Sequence, residues 1–189
     1  MLAGCGGGPA EADGVDAPAP QPGVDVRAIR AEVLLNPETL QIGATTALDI
    51  AHPDTLRTLL LGLDDGLEVI TVRVEGEAVL FWREADALSV PLAVGDTLST
   101  VEVVYQGVPA AGLYADEAAG QRVVYTDGWP DRTAGWLPAV HHPSDPATLD
   151  LTLVVPEAAE VVATGRAVGD SLASGQRHAR FVLDAATTI

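Results

Sequence analysis

Residues 26–35 read Val-Arg-Ala-Ile-Arg-Ala-Glu-Val-Leu-Leu, and this stretch sets the pattern for most of the chain. Ile29, Ala31 and Val33 fall on one face of an extended strand, and Arg30 and Glu32 fall on the other. A period of two is typical of a strand with one buried face. Comparable segments follow at 40–51, 59–63, 67–74, 78–82, 88–92, 98–105, 122–125, 149–155, 161–164 and 177–183.

Turn-forming residues separate these segments, as at 36–39, 64–66, 75–76 and 95–96. No window predicts an amphipathic helix longer than about ten residues, although roughly a third of an average protein is helical. Short strands at regular spacing indicate an antiparallel β-sandwich or a saddle-like sheet. We therefore predict an all-β domain over residues 24–189, preceded by a disordered tether over residues 1–23.

The composition narrows the class of protein. The 189 residues contain 27 acidic and 10 basic residues, which gives a net charge of −17, and every basic residue is an arginine. Such a surface repels polyanions, so nucleic acid is excluded as a partner. No run reaches the roughly 18 apolar residues of a membrane-spanning helix.

The first residues suggest a lipid anchor. Leu2-Ala3-Gly4-Cys5 resembles the processing box of bacterial lipoproteins, and residues 6–23 have the Gly, Pro and Ala content of a flexible tether. A charged start and an apolar run do not precede the box, so we expect a signal peptide encoded upstream. Cys5 is the predicted lipid attachment site. The predicted location is the bacterial cell envelope, periplasmic or extracellular, with membrane contact only through the lipid. The alternative is a chance match in a chain rich in Ala and Gly.

The sequence lacks recognisable catalytic machinery. A zinc-peptidase helix needs the spacing H-E-x-x-H, and the four histidines do not have it: His52, His141, His142 and His178. The serines lack a nucleophile elbow, and the single cysteine cannot build a zinc site. Carboxylate pairs such as Asp64-Asp65 fall in turn-like stretches, where we expect them to be solvated. No catalytic residue, metal or cofactor is therefore predicted in this chain.

Residues 125–156 are the most informative segment. They form a long irregular stretch, rich in Trp and Pro, between two strands. Loops of this length in compact domains are commonly functional. The alternative is a packed structural loop in which Trp129 and Trp136 plug the sheet.

Several short stretches occur in an order that points to a known family. They are the opening strand at 25–35, the hairpin at 103–109 with Gly112-Leu113-Tyr114, Tyr125-Thr126-Asp127-Gly128-Trp129-Pro130, Trp136-Leu137-Pro138, His142-Pro143-Ser144-Asp145 with Ala147-Thr148, and the strands at 151–156 and 162–165. Together these stretches resemble the N-terminal domain of the aminopeptidase N family, the gluzincin zinc metallopeptidases. The resemblance extends over about residues 24–189.

The resemblance implies a saddle-like β domain that packs over a thermolysin-like catalytic domain. In the family that catalytic domain binds zinc, so its position here would be downstream of Ile189 and the chain would be a fragment. The resemblance also implies that the loop Thr126, Asp127, Gly128 and Trp129 reaches the pocket for the first substrate residue. Family members hold the free amine of the peptide there with Gln or Glu.

This sequence departs from the family pattern at three positions. Trp129 stands where the amine-binding Gln or Glu is expected, so Asp127 is the nearest alternative carboxylate. His141 and Pro146 replace an Asp and a Lys, which removes two charges from the loop.

Two functional hypotheses follow. In the first, the parent protein is a lipid-anchored zinc metalloaminopeptidase that removes N-terminal residues from peptides. This chain is then its non-catalytic N-terminal domain, which covers the active site and shapes the substrate entrance, and its partners are the missing catalytic domain and the peptide substrate. In the second, the chain is a stand-alone lipoprotein β-sandwich that binds a peptide, glycan or protein without catalysis. A coincidental resemblance is a third possibility.

Overall fold

The largest unit of the fold is an eight-stranded sheet. The computed structural model describes residues 18–128, 132–140 and 145–187. The strands of this sheet are β1 (Asp25–Leu35), β2 (Ile42–Ala51), β4 (Leu67–Val74), β5 (Glu77–Val79), β8 (Leu98–Gly107), β11 (Ala147–Pro156), β12 (Arg166–Ala173) and β13 (Gln176–Thr187). Their order in the sheet is β12-β13-β11-β1-β2-β8-β4-β5.

Two smaller sheets complete the fold. The strands β3 (Thr58–Gly62), β7 (Ala87–Pro91) and β6 (Trp82–Glu84) form a three-stranded sheet in the order β3-β7-β6. The strands β9 (Leu113–Ala118) and β10 (Gln121–Thr126) form a hairpin. Arg122 of this hairpin donates from Nε to the carbonyl of Pro37 at 2.7 Å, which ties the hairpin to the turn between β1 and β2.

One hydrophobic core joins the two larger sheets. In β2 every second side chain is buried, including Leu48 and Ile50, and the intervening residues are more exposed. Leu59, Leu61 and Leu88 of the smaller sheet are fully buried in the same cluster. Burial of these apolar faces on each other is the main force that holds the layers together.

The prediction of an all-β fold is confirmed. The one parallel pair among the described strands, β1 with β11, departs from a purely antiparallel arrangement. A parallel pair cannot be joined by a tight hairpin turn, and residues 36–146, which include β2 to β10, separate these two strands in the sequence. The described residues include no helix long enough to cross a membrane, since their one helical element is a 3₁₀ turn at Thr133–Gly135.

The structure corrects some predicted strands. The segment 161–164 is not a strand, and the strand near it, β12, begins at Arg166. The predicted strand 78–82 is two short strands, β5 and β6, that belong to different sheets. Strand β9 was not predicted. The segments 78–82 and 161–164 alternate only between exposed and half-buried positions, and neither has a fully buried side chain.

Candidate functional site

Residues 127–146 connect β10 to β11 in the sequence, and we call this segment the crossing. The structure describes residues 127–128, 132–140 and 145–146 of it. Thr126 ends β10 with an exposed side chain, and Asp127 and Gly128 follow it directly. The predicted loop residue Trp129 and the predicted lipid attachment site Cys5 lie outside the described residues.

Asp127 is the carboxylate of the predicted substrate loop, and it is paired with an arginine of the crossing, Arg132. Its Oδ2 accepts from Nη1 of Arg132 at 3.0 Å, while 45% of its side chain stays exposed. The backbone supports this geometry, because Asp127 N donates to Gly112 O and Arg132 N donates to Gly128 O, each at 3.0 Å. An incoming ammonium group would therefore meet a carboxylate that is accessible and already partly neutralised.

The crossing packs against the backbone of residues 111–112. A Cβ atom on Gly135 would overlap the carbonyl of Ala111, and one on Gly112 would overlap the carbonyl of Arg132. Gly112 also has φ +79, a region that residues with a side chain rarely adopt. Only glycine permits this approach, so the sequence fixes the path of the crossing here.

Hydrogen bonds from three different strands or turns hold the next part of the crossing. The hydroxyl of Tyr105 donates to Trp136 O at 2.8 Å, and Asp64 N donates to Ala134 O at 2.8 Å. Gly62 and Ala139 form an antiparallel bridge with bonds of 2.8 and 3.0 Å. This part of the crossing is thus a fixed part of the fold.

Trp136 combines features of the two interpretations of the segment. Its side chain is half-buried and packs against the main core, as the packed-loop alternative expects. The residues at 126–128 lie at the surface, as a functional loop requires. The described crossing therefore has an accessible start and an anchored middle.

Asp64 corrects the expectation of a solvated turn. Its side chain is 3% exposed. Its Oδ1 accepts from Gly66 N at 2.8 Å and its Oδ2 from Ala110 N at 3.1 Å. Burial raises the pKa of the Asp64 carboxyl above its usual range, and these backbone bonds oppose that shift. An Asp two residues before a Gly is the signature of an Asx turn, and that signal identifies the local bond but not the burial.

Arg83 forms hydrogen bonds with the same turn that contains Asp64. Its guanidinium donates to the carbonyls of Leu63, at 2.6 Å, and of Asp64 and Leu67. Burial lowers the pKa of Arg83, and the nearby carboxylates oppose that shift. The buried Asp64 and the partly buried Arg83 organise loops next to the crossing, so their role is structural.

A serine and a histidine that are distant in sequence meet in the fold. Nε2 of His52 lies 2.9 Å from Oγ of Ser99, and Nδ1 lies 3.1 Å from the carbonyl of Pro53. A nucleophile needs access to substrate as well as a base, and these side chains are only 4% and 5% exposed. This pair was not predicted, and its burial indicates a structural role.

The outer face of the large sheet carries a shallow groove of about 440 Å³, lined mainly by charged and hydroxyl side chains. Its two arginines are engaged in two-point bonds: Arg30 with Asp49 at 2.5 and 2.8 Å, and Arg180 with Asp150 at 2.5 and 2.7 Å. The groove thus presents ion pairs to solvent. Among residues 18–128, 132–140 and 145–187, no group of three or more His, Cys, Asp or Glu side chains is placed to hold a metal ion.

Comparison with solved structures identifies the fold. The M1 zinc metallopeptidase of Deinococcus radiodurans superposes with a TM-score of 0.77 at 24% identity, over 90% of this chain and 41% of that chain. A mutant of that enzyme bound to a Tyr-Ser-Ala substrate gives a TM-score of 0.78 at 24% identity, over 89% and 41%. Native yeast LTA4 hydrolase gives 0.74 at 16% identity, over 86% and 27%.

No protein-family model and no curated protein matches the sequence. The chain spans about two fifths of the length of the Deinococcus enzyme, and less of the yeast one. The resemblance that the ordered stretches suggested is thus confirmed at the level of the fold. The chain has the fold of the β-rich N-terminal part of the M1 zinc metallopeptidases, the aminopeptidase N family.

Proposed function

We propose that this chain is the non-catalytic N-terminal domain of a lipid-anchored zinc metalloaminopeptidase, and that it covers the active site and shapes the substrate entrance. One observation carries the proposal: the fold similarity takes in 89% of this chain but only 41% of the enzyme that it resembles. The parent protein would hydrolyse N-terminal residues from peptides.

The chemistry of the chain supports a non-catalytic role. The described residues include no group of three or more His, Cys, Asp or Glu side chains placed to hold a metal ion, and the His52–Ser99 pair is buried. Zinc, which would polarise the scissile carbonyl and activate water, is therefore assigned to the rest of the parent protein.

The crossing is the part of the chain that we assign to the entrance. Its start at residues 126–128 is accessible, and its middle is fixed to the core. An accessible loop that is anchored to a rigid core is suited to form the wall of a pocket, because a preorganised site loses less entropy on binding. Asp127 supplies the acceptor for a free amine, and Arg132 sets the orientation of that acceptor.

The first test is to read the coding frame beyond residue 189. The proposal expects H-E-x-x-H followed by a more distant Glu. A stop codon, together with a purified chain that is monodisperse and melts cooperatively, would favour the stand-alone lipoprotein module instead.

The second test uses amino-acid anilides as substrates. The chain of residues 1–189 is expected to show no turnover, with or without added zinc, and turnover sensitive to a chelator would contradict the proposal. In the complete parent enzyme, Asp127→Ala is expected to raise KM with little change in kcat, because the lost contact binds substrate and transition state alike. Asp116→Ala, an exposed carboxylate on β9, is the matched control.

The lipid anchor has its own test. The chain is expressed behind a bacterial lipoprotein leader, and partition into a detergent phase is compared with that of Cys5→Ser. We expect only the protein with Cys5 to partition, because the acyl chains supply the membrane affinity. Equal partition of the two proteins would remove the anchor from the proposal.

A further inference from the structure

The outer edge of β3 is the edge that faces away from β7. On its inner side, Leu59 and Leu61 pair with Val90 and Leu88 of β7. Alternate residues of a strand direct their backbone groups to opposite edges. The N–H and C=O groups of Thr58, Leu60 and Gly62 therefore point away from the sheet. Backbone groups left unpaired at such an edge can form hydrogen bonds with another strand.

A glutamine side chain occupies two of these positions. Nε2 of Gln21 donates to Thr58 O at 2.8 Å, and its Oε1 accepts from Leu60 N at 2.7 Å. One amide thus donates and accepts as the backbone of a neighbouring strand would. The predicted tether includes Gln21, and the structure places this residue in direct contact with the sheet.

The crossing occupies the next position on the same edge. Gly62 pairs with Ala139 in both directions, so Gln21 and Ala139 bond to adjacent outward-facing residues of β3. Residues two apart on a strand are separated by about 6.6 Å. The N-terminal segment and the crossing therefore lie side by side along one edge.

A second contact joins the two segments farther along. Both carboxylate oxygens of Asp145 accept from Val26 N at 3.2 Å. Between the two contacts lies a cavity of about 390 Å³, with Gln21, Pro22 and Val24 on one side and Val140 and Asp145 on the other. The N-terminal segment thus borders the end of the crossing over several residues.

We propose that residues 20–26 form a strap that holds the crossing against the edge of β3, with Gln21 as its positioning residue. A force or a partner that pulls the N-terminal segment from β3 would then loosen Ala139 and the crossing around it. This inference goes beyond the proposed function and does not depend on it, since its contacts all lie within the described residues of this chain.

Hydrogen exchange, followed by NMR at individual amides of the full chain, tests the strap. In Gln21→Ala we expect the amides of Gly62 and Ala139 to exchange at least about tenfold faster, since local opening sets their exchange. Leu59 and Leu61, which face β7, should keep their rates. Gln106→Ala is the control, because its amide donates to Glu68 on the exposed face of another sheet.

A second variant refines the test. In Gln21→Glu the carboxylate still accepts from Leu60 N, but it can no longer donate to Thr58 O, because both of its oxygens are acceptors. We therefore expect the amides of Gly62 and Ala139 to exchange faster, as in the alanine variant. Faster exchange at the Leu60 amide alone would show that Gln21 protects only the residues to which it bonds directly, and this result would overturn the strap. Equal acceleration of all amides would also overturn it, because the variant would then lower global stability alone.

Discussion

Tyr105 shows how one residue connects the core with the crossing. Its ring is 1% exposed, and its hydroxyl donates to Trp136 O at 2.8 Å and lies 3.1 Å from Oγ1 of Thr46. A buried hydroxyl needs such partners, because an unsatisfied polar group in the interior costs free energy. Burial raises the pKa of the Tyr105 phenol, so it stays protonated and remains a donor at neutral pH.

Tyr105→Phe should therefore lower the free energy of unfolding by about 1–2 kcal/mol, because it leaves the carbonyl of Trp136 without this donor. Urea unfolding at pH 7 measures the change. Tyr125→Phe is the matched control, since Tyr125 is 47% exposed. An equal effect of the two substitutions would contradict the proposed role of the buried bond.

Charged residues on four neighbouring strands and a threonine on a fifth form a ladder on the outer face of the large sheet. Arg180 on β13 bonds Asp150 on β11, and Arg30 on β1 bonds Asp49 on β2. Thr100 on β8 extends the ladder by donating to Asp49 at 2.9 Å. The bond from Arg30 is the main cause that holds the pKa of the Asp49 carboxyl below its usual range.

The sign of the pH dependence follows from that direction. A carboxyl whose pKa is lower in the folded state stabilises the protein above its unfolded pKa, near 4, and the stabilisation is lost as the pH falls through the folded pKa. At pH 7, Asp49→Asn should cost about 0.5–1 kcal/mol, because the pair is largely exposed. The difference from the wild type should shrink below about pH 4.

Urea unfolding at several pH values from 7 to 2.5 measures this difference. Asp96→Asn, at an exposed position beside a turn, is the matched control. A cost of Asp49→Asn that stays constant over the whole range would mean that the charge of Asp49 does not contribute.

At the scale of elements, alternation of side chains made β2 and β8 predictable, because each has one face in the core. Strand β12 has no such pattern, since all of its residues are exposed. The segment 161–164 resembled a strand because of its valines, yet Val162 is 93% exposed. A β-branched residue indicates a strand only where a neighbouring strand is available to pair with it.

The candidate site was predictable only in part. The irregular stretch between β10 and β11 and its position could be read from Trp and Pro content. Its anchors could not, because Tyr105 lies 31 residues from Trp136, and Gln21 lies 39 residues from Leu60. Such contacts depend on the register of the whole sheet, which local patterns do not contain.

Tight hairpin turns are a further feature that can be recognised in the sequence. Glu75-Gly76, Ala119-Gly120 and Ser174-Gly175 each have positive φ at both residues, as the two-residue turn of type I′ requires. Of the three, only Glu75-Gly76 lies between two segments that the alternating pattern predicts as strands. An X-Gly pair would therefore have located the β9–β10 and β12–β13 hairpins as well.

Gly120→Ala isolates the conformational requirement of such a turn. Gly120 has φ +76 and open space around its Cα, so the substitution should cost about 1 kcal/mol through backbone strain alone. Gly43→Ala is the control, because Gly43 in β2 also has open space but lacks a positive φ. The control should be neutral or stabilise by up to about 1 kcal/mol. Thermal unfolding measures both, and equal effects would contradict the turn assignment.

At the scale of the whole molecule, the charge imbalance opposes compactness. The chain carries 27 acidic residues against 10 arginines. Local ion pairs such as Arg30 with Asp49 offset only part of this repulsion, because exposed pairs contribute little. Repulsion among the remaining carboxylates raises the free energy of the folded state, which brings them closer together than the unfolded chain does.

Salt should therefore stabilise this protein. Raising NaCl from about 0.02 to 0.5 M shortens the screening length from roughly 20 Å to a few Å, so long-range repulsion falls more than the short-range attraction within ion pairs. We expect the unfolding temperature to rise by about 2–4 °C, which corresponds to roughly 1 kcal/mol for a chain of this size. Differential scanning calorimetry with NaCl and with choline chloride measures the shift. Equal rises of the unfolding temperature in the two salts would show that screening causes the stabilisation. A lower unfolding temperature at high salt would show that the attraction within the ion-pair ladder outweighs the repulsion from the net charge.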